Sequence, residues 1–208
     1  TGNDNDEIEK LVQGLQNRFR VKDLGNLEQI LGCHWERRAD GTSIFKQTKT
    51  IEDMIKRFRL NELPPVATPG VVGEEISKDW CPEENSDEHK EMNMKRGGNV
   101  FYRTTSEMRV EDMSYTTAYR AIVGSLLWIA RCTRPDIMHT VCQLSRFMQN
   151  PGYQHMQRAK RAVQYLAGTR NRGIVWHPKG LDGKMNQVIT YSDSSFADQE
   201  NAKSTYGY

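Results

Sequence analysis

The stretch from Tyr119 to Ala130 limits the folds open to this chain more than any other. Tyr119, Ile122, Val123, Leu126, Leu127, Ile129 and Ala130 leave almost no polar stripe on a helix, so that helix needs apolar neighbours on most sides. Its continuous apolar portion, Ala121 to Ala130, is about half of the roughly 20 residues that cross a bilayer. It is therefore the centre of a core rather than a membrane span. Its partners follow at once. Thr133-Arg134-Pro135-Asp136 supplies a cap, a first-turn proline and a first-turn acid, launching a helix with Ile137, Val141, Leu144 and Met148 on one stripe. Asn150-Pro151-Gly152 ends it. A third helix then places Met156, Ala159, Val163 and Leu166 on one face, with Arg158, Lys160 and Arg161 largely off it, and closes at Gly168. Three successive helices thus fill residues 116–168.

The first 69 residues follow a different pattern. Ile8, Leu11, Val12, Leu15 and Phe19 recur at helical spacing behind Asn5 and Asp6, and this stripe should cover a core formed by the residues that follow. Asp4 and Asp6 sit where a helix gains a cap and favourable contact with its dipole. The apolar run from Leu27 to Trp35, the turn Ala39-Asp40-Gly41-Thr42 and the extended Ser43 to Gln47 predict a hairpin. A helix starting at Thr48 carries Ile51, Met54, Ile55 and Phe58 on one face and stops before Leu63-Pro64-Pro65. Between residues 70 and 115 periodicity disappears and acids accumulate, as in a linker or surface insertion without fixed structure. After Gly173, Ile174 to His177 and Gln187 to Ser192 read as strands divided by Pro178-Lys179-Gly180 and Asp182-Gly183, the start of a new sheet. The class is α+β, with segments 1–69, 70–115, 116–172 and 173–208.

Formal net charge is +2, but residues 71–115 hold 6 basic and 11 acidic groups while residues 116–186 hold 11 and 2. A block at +9 suits a surface that meets phosphate; the competing role is a solvated helix face balanced by acids elsewhere in the fold. The four cysteines Cys33, Cys81, Cys132 and Cys142 lack the spacing of a disulfide framework, which favours a reducing intracellular setting. Cys132, His139 and Cys142 match no zinc spacing, so no structural metal is expected. The polar, acidic start at residues 1–9, without Met, reads as an internal cut rather than a leader.

Three ordered stretches carry a resemblance. Phe19-Arg20-Val21-Lys22-Asp23-Leu24-Gly25, Ile30-Leu31-Gly32, Ile44-Phe45-Lys46-Gln47 and Thr68-Pro69 come first. Tyr119-Arg120 with Val123-Gly124-Ser125-Leu126-Leu127, Thr133-Arg134-Pro135-Asp136-Ile137 and Leu144-Ser145-Arg146 follow. Tyr191-Ser192-Asp193-Ser194-Ser195-Phe196-Ala197 and Lys203 to Tyr208 close the series. In this order they resemble the distal polymerase portion of copia-type long-terminal-repeat retrotransposon Pol polyproteins. The resemblance implies palm and thumb elements of a reverse transcriptase at 1–69, as helix, hairpin and helix, a three-helix connection at 116–172, and the first strands of an incomplete ribonuclease H-like sheet at 173–208.

The same resemblance implies a function and its limits. The family's polymerase aspartates lie in a Tyr-x-Asp-Asp hairpin that this sequence lacks, and two-metal phosphoryl transfer needs those carboxylates. Leu31, Gly32, Cys33 and His34 are implied contacts to a primer strand, against a structural role in which Leu31 is core and Gly32 a bulge. Asp193 is implied as the first metal-bridging acid of ribonuclease H, binding magnesium only in an intact domain. Arg158, Lys160 and Arg161 are implied contacts to phosphate. The expectation is a polyprotein fragment without its own catalysis or cofactor, positioning an RNA or DNA template-primer beside the remainder of the Pol polyprotein. The parent element would work in a cytoplasmic particle or the nucleus, and no membrane is involved. A stand-alone nucleic-acid-binding module, a helical scaffold without such a role and a decayed relic are the alternatives.

Overall fold

The computed structural model describes residues 4–22, 24–94 and 113–177, together with the backbone of 193–195 and 205–207. Mixed helix and sheet are both present, as the periodicities require. The chain divides into two compact units, one of residues 1–36 and 44–174 and one of 37–43 and 175–208.

In the larger unit, α4 (Tyr115–Cys132) is the central element, with Tyr119, Ile122, Val123, Leu126 and Ile129 all buried. Ser114 caps it by accepting from the Thr117 backbone N–H at 3.2 Å. Against α4 pack α5 (Met138–Ser145) and α6 (Tyr153–Gly168), whose Val141, Leu144, Ala159, Val163 and Leu166 complete one core. Helix α2 (Thr48–Arg57) adds Ile51, Met54 and Ile55 to that same core. Helix α2 and the three later helices therefore share one interior rather than forming two.

The connection from α4 to α5 departs from the expected cap. Thr133 does not cap the next helix; its hydroxyl donates to Gln47 Oε1 at 2.9 Å, with both residues buried. Pro135 opens a single 3-10 turn, Pro135–Ile137, before α5 begins. Arg134 is only 1% exposed. It holds Asp136 through two bonds, Nε to Oδ1 at 3.0 Å and Nη2 to Oδ2 at 2.7 Å, and also donates to the Thr169 carbonyl and hydroxyl at 2.8 and 2.7 Å. Tyr165 donates to Asp136 Oδ2 at 2.8 Å, and its ring lies 5.5 Å from the guanidinium carbon. A buried guanidinium with this many acceptors is satisfied, and it ties the start of α5 to the end of α6.

Residues 71–94, read from sequence as an acidic linker, run as a strap along α6 and α4. The strap contains a 3-10 turn, Lys78–Trp80, and α3 (Asp87–Asn93), while 95–112 lie outside the described residues. Its acids have partners that a linear reading does not show. Glu74 accepts from Arg158, and the Arg158 guanidinium stands 5.7 Å from the centre of the Trp80 ring. The Pro82 carbonyl accepts from Asn150 at 2.9 Å, and the Met92 carbonyl from Thr116 at 3.2 Å. His155 is fully buried beneath the strap, stacked 4.3 Å from Phe147. Its Nδ1 accepts from the Gly152 N–H at 2.9 Å and its Nε2 faces the Ser77 carbonyl at 3.1 Å, so Nε2 carries the proton.

Helix α1 (Asn5–Arg18) buries none of its residues. Asp4 caps it, accepting from the Asp6 and Glu7 backbone at 2.9 and 3.3 Å. The expectation that its apolar stripe covers a core within this chain is not met: Leu11, Leu15 and Phe19 are exposed. The cap and periodicity that form the helix are local, whereas burial needs a facing surface.

Strands β1 (Gln29–Ile30), β2 (Cys33–Arg37), β3 (Ser43–Lys46) and β4 (Ile174–Trp176) form one sheet in that order, with β1 and β2 antiparallel. Strand β4 thus joins the hairpin sheet, whereas the sequence reading assigned it to a new one. Gly173 explains the docking, since a Cβ there would stand 2.2 Å from the Phe45 carbonyl oxygen. In the smaller unit the turn is closed by the Thr42 N–H to Asp40 at 2.8 Å and the Arg38 N–H to the Thr42 carbonyl at 2.8 Å. Strands β5 (Asp193–Ser195) and β6 (Thr205–Gly207) pair antiparallel as a separate sheet.

Two outcomes test this account of the core. Arg134→Ala leaves Asp136 with Tyr165 in place of its ionic partner and the Thr169 carbonyl without the guanidinium, and should cost about 3–5 kcal/mol in urea unfolding. Burial lowers the His155 pKa from the ordinary 6.5, opposed by its bond to the Ser77 carbonyl. The unfolded state then binds more protons below pH 6.5, so stability should fall as pH drops through that value, by at most about 1.4 kcal/mol per pH unit. His155→Gln should flatten that part of the melting-temperature profile. For Asp136 burial raises the pKa, but the bonds from Arg134 and Tyr165 outweigh it and hold the carboxyl below the ordinary value of 3.8. Its contribution is lost only in stronger acid, so the two windows separate.

Candidate nucleic-acid interface

Strands β1 and β2 are joined by two residues, with Ile30 opposite Cys33 and Gln29 opposite His34. Both linking residues have positive φ, Leu31 at 50° and Gly32 at 78°, the signature of a type I′ turn. Gly32 suits this conformation; Leu31 does not. The leucine is 74% exposed, so packing does not offset its strain. The turn is held from behind, because the Thr50 hydroxyl in the first turn of α2 donates to the Gly32 carbonyl at 2.8 Å. Gly32 is a turn residue and not a bulge, and Leu31 is not core.

The rest of the hairpin divides by face. His34 is exposed beside the turn, while Cys33 points inward at 1% exposure. Burial, with Cys132 as neighbour, pushes the Cys33 thiol up to about 11. Trp35 packs across the hairpin on Phe45, ring centres 5.6 Å apart, and Lys46 pairs with Glu36 at 2.6 Å.

The three cations implied on α6 do not form one open patch. Arg158 pairs with Glu74, and Arg161 donates to the Thr68 hydroxyl at 3.0 Å. Lys160 is half-buried and borders a small apolar cavity of about 240 Å³ with Leu60, Tyr115 and Met156. Elsewhere in the helical block, Arg134 is consumed in the core and Arg120 donates to the Met148 and Gln149 carbonyls at 2.7 and 3.2 Å. Asp193 lies opposite Gly207 at the edge of the β5–β6 pair. One carboxylate does not hold a pair of catalytic magnesium ions, and Asp198 and Glu200 lie outside the described residues. Among the described residues, no group of three His, Cys, Asp or Glu side chains is placed to hold a metal ion.

A surface that linear reading missed begins where Thr50 holds the turn. A groove of about 470 Å³ runs between α2 and α4, lined by Thr50, Asp53 and Arg57 on one wall and Arg120, Gly124 and Trp128 on the other. Arg120, Gly124 and Trp128 recur every fourth residue and make up the exposed edge of α4. Gly124 leaves open space, with nothing within 4 Å of where a Cβ would stand, and Trp128 is 42% exposed above it. A signal was present in the sequence: Arg120 and Gly124 interrupt the apolar pattern of the helix four residues apart. Chemically the groove offers two cations, one carboxylate, hydroxyls and a flat aromatic face.

A mixed α and β chain with a pinned tight hairpin beside a helical core is thus what this sequence builds, and along its whole length it is related to the Pol polyproteins of copia-type transposons. It is 32% identical over 210 aligned positions to the retrovirus-related Pol polyprotein from transposon TNT 1-94 of Nicotiana tabacum, covering 100% of this chain and 14% of that protein. The corresponding polyprotein from transposon RE1 of Arabidopsis thaliana is 32% identical over 209 positions, 100% of this chain and 12% of its own length. The putative transposon Ty5-1 protein YCL074W of Saccharomyces cerevisiae is 26% identical over 201 positions, 96% of this chain and 54% of that protein. The chain therefore spans about one seventh of the length of the first two. No protein-family model and no solved structure matches it. No helix among the described residues is long and apolar enough to cross a membrane.

Leu31→Asn should separate the turn's stability from its use. Asparagine tolerates positive φ, and Asn-Gly is the preferred pair for this turn, so the variant should gain about 1 kcal/mol in urea unfolding. A neutral or destabilising result would show that Leu31 is held by packing after all.

Proposed function

We propose that this chain is a non-catalytic part of a retrotransposon Pol polyprotein that positions a template-primer, holding it on the Leu31-Gly32 turn, His34 and the α2–α4 groove. The observation that carries the proposal is the exposed, strained turn pinned by Thr50, the residue that also lines the groove. Continuity of turn and groove supplies one extended surface. At Gly32 the backbone of the turn can approach sugar and phosphate closely, Arg57 and Arg120 supply positive charge that outweighs the Asp53 carboxylate in the same groove, and Trp128 offers stacking that tolerates any base. Such contacts are indifferent to sequence, as a polymerase track requires.

The relationship to Pol polyproteins supports reverse transcriptase elements at 1–69, a helical connection at 116–172 and ribonuclease H strands beyond. It also supports the remainder of the polyprotein as the partner, with magnesium bound at Asp193 only when that domain's other acids are present. The exposed leucines and phenylalanine of α1 then have a surface to meet elsewhere in that polyprotein. A second reading, a helical scaffold without nucleic-acid contact, is favoured for α6 alone by the internal partners of Arg158 and Arg161.

Fluorescence anisotropy with a labelled RNA–DNA hybrid tests the proposal. The whole chain should bind with an affinity that falls steeply with salt. Trp128→Ala should weaken binding by about 5- to 100-fold, the range expected for losing one stacked base. Leu11→Ser, on α1, should leave binding unchanged. No salt-dependent binding, or equal binding by Trp128→Ala, would remove the groove from the proposal.

A further inference from the structure

Thr68-Pro69 is a motif that template-primer positioning does not use, and it is the chain's only Ser/Thr-Pro pair: the other prolines follow Leu63, Pro64, Cys81, Arg134, Asn150 and His177. It lies in the segment 61–77, which is neither helix nor strand and crosses α6 along a row of every third residue. Gln164 donates to the Pro64 carbonyl at 2.9 Å, Arg161 Nη2 to the Thr68 hydroxyl at 3.0 Å, Arg158 to Glu74 and His155 Nε2 to the Ser77 carbonyl at 3.1 Å. At Arg158 charge meets charge. At Arg161 a guanidinium meets only a hydroxyl.

That latch is incomplete. The Arg161 Nε is buried and has no acceptor among the described residues, so half of the fork it forms with Nη2 is unused. Arg134 in the same chain shows what completes such a fork: two oxygens of one anionic group, Asp136, one on Nε and one on Nη2. At Arg161 the missing second oxygen could be carried by Thr68 itself. The threonine is half-buried, with Pro64, Pro65 and Ala67 exposed before it.

We infer that Thr68 is a phosphorylation site for a proline-directed protein kinase, and that its phosphate closes the Arg161 fork and fastens the segment 61–77 to α6. The Thr68 Oγ1 attacks the γ-phosphorus of ATP; the bond from that phosphorus to the oxygen of ADP breaks, ADP leaves, and the hydroxyl proton passes to the kinase's base. One neutral oxygen facing Arg161 thereby becomes a dianionic group with three acceptor oxygens. The cost is the bond that the Thr68 hydroxyl donates to the Gly70 carbonyl at 2.8 Å, since the phosphate ester has no proton to replace it. A charge-assisted fork outweighs one neutral hydrogen bond. Glu74, the acid at the next latch, is already answered by Arg158.

The whole chain, incubated with ATP, magnesium and a purified proline-directed kinase, tests both halves by intact mass, peptide mapping and melting temperature. The expected product carries one phosphate, on Thr68, and melts about 2–4 °C higher, the shift that roughly one added charge-assisted contact brings in a chain of this size. Its phosphorus resonance should titrate below the ordinary second ionisation of about 6. Arg161→Ala should restore that ordinary value and cancel the rise in melting while still accepting the phosphate. Phosphothreonine installed at position 68 during translation should reproduce both readouts without a kinase. A folded chain left unmodified at Thr68 would overturn the site. Phosphate on Thr68 that leaves melting unchanged or lowers it, or that acts equally in Arg161→Ala, would overturn the fork. None of these readouts requires nucleic acid.

Discussion

Arg134 is a permanent cation placed where water does not reach, and much of the larger unit is arranged around keeping it satisfied. Its guanidinium spends two bonds on Asp136 and two on Thr169, so the start of α5 and the end of α6 are fixed by one side chain. The fork geometry of arginine suits this role; the single ammonium of lysine would not span both partners. With the helix ends held there, the Thr133 hydroxyl faces Gln47 and the last turn of α4 meets the beginning of α2. That contact places α2 so that Thr50 reaches the Gly32 carbonyl. A chain of polar contacts therefore runs from a buried ion pair to an exposed turn.

The charge pattern illustrates a distinction between composition and placement. The +9 balance of residues 116–186 is real, but much of it is answered within the fold. Arg158 faces Glu74 and the Trp80 ring, Arg120 donates to carbonyls in the turn that follows α5, and Arg134 is internal. Residues 71–94 supply part of the compensation, which accounts for a segment with no hydrophobic period being ordered at all. Three of its anchors, the Ser77, Pro82 and Met92 carbonyls, are main-chain groups and so leave no trace in residue type.

How much of this was legible follows the range of each interaction. Helices α2, α4 and α6 are set by local period and were read closely, and Asp4 capping α1 needs no knowledge beyond neighbouring residues. The hairpin turn at 38–42 was likewise visible in Asp40-Gly41. The Leu31-Gly32 turn was seen only as a motif, because leucine at positive φ runs against the usual turn chemistry and no local rule predicts it. Pairings between distant positions, Arg158 with Glu74 or Gly173 with Phe45, could not be read along one chain. The failure at α1 has the opposite cause: its amphipathic pattern forms the helix locally but does not say which surface, if any, its apolar stripe faces.

The sharing of one core by α2 and α6 has a consequence for synthesis. Ile51, Met54 and Ile55 find their cover partly on α6, which ends at Gly168, more than a hundred residues later. At about 5–20 residues per second, translation leaves the apolar side of α2 waiting for roughly 5–20 s. Contacts among α4, α5 and α6 are close in sequence and assemble quickly once made, but the hairpin cannot be clasped until they exist. During that interval the apolar side of α2 stays open to aggregation, and a ribosome pausing inside the acidic strap would prolong the exposure.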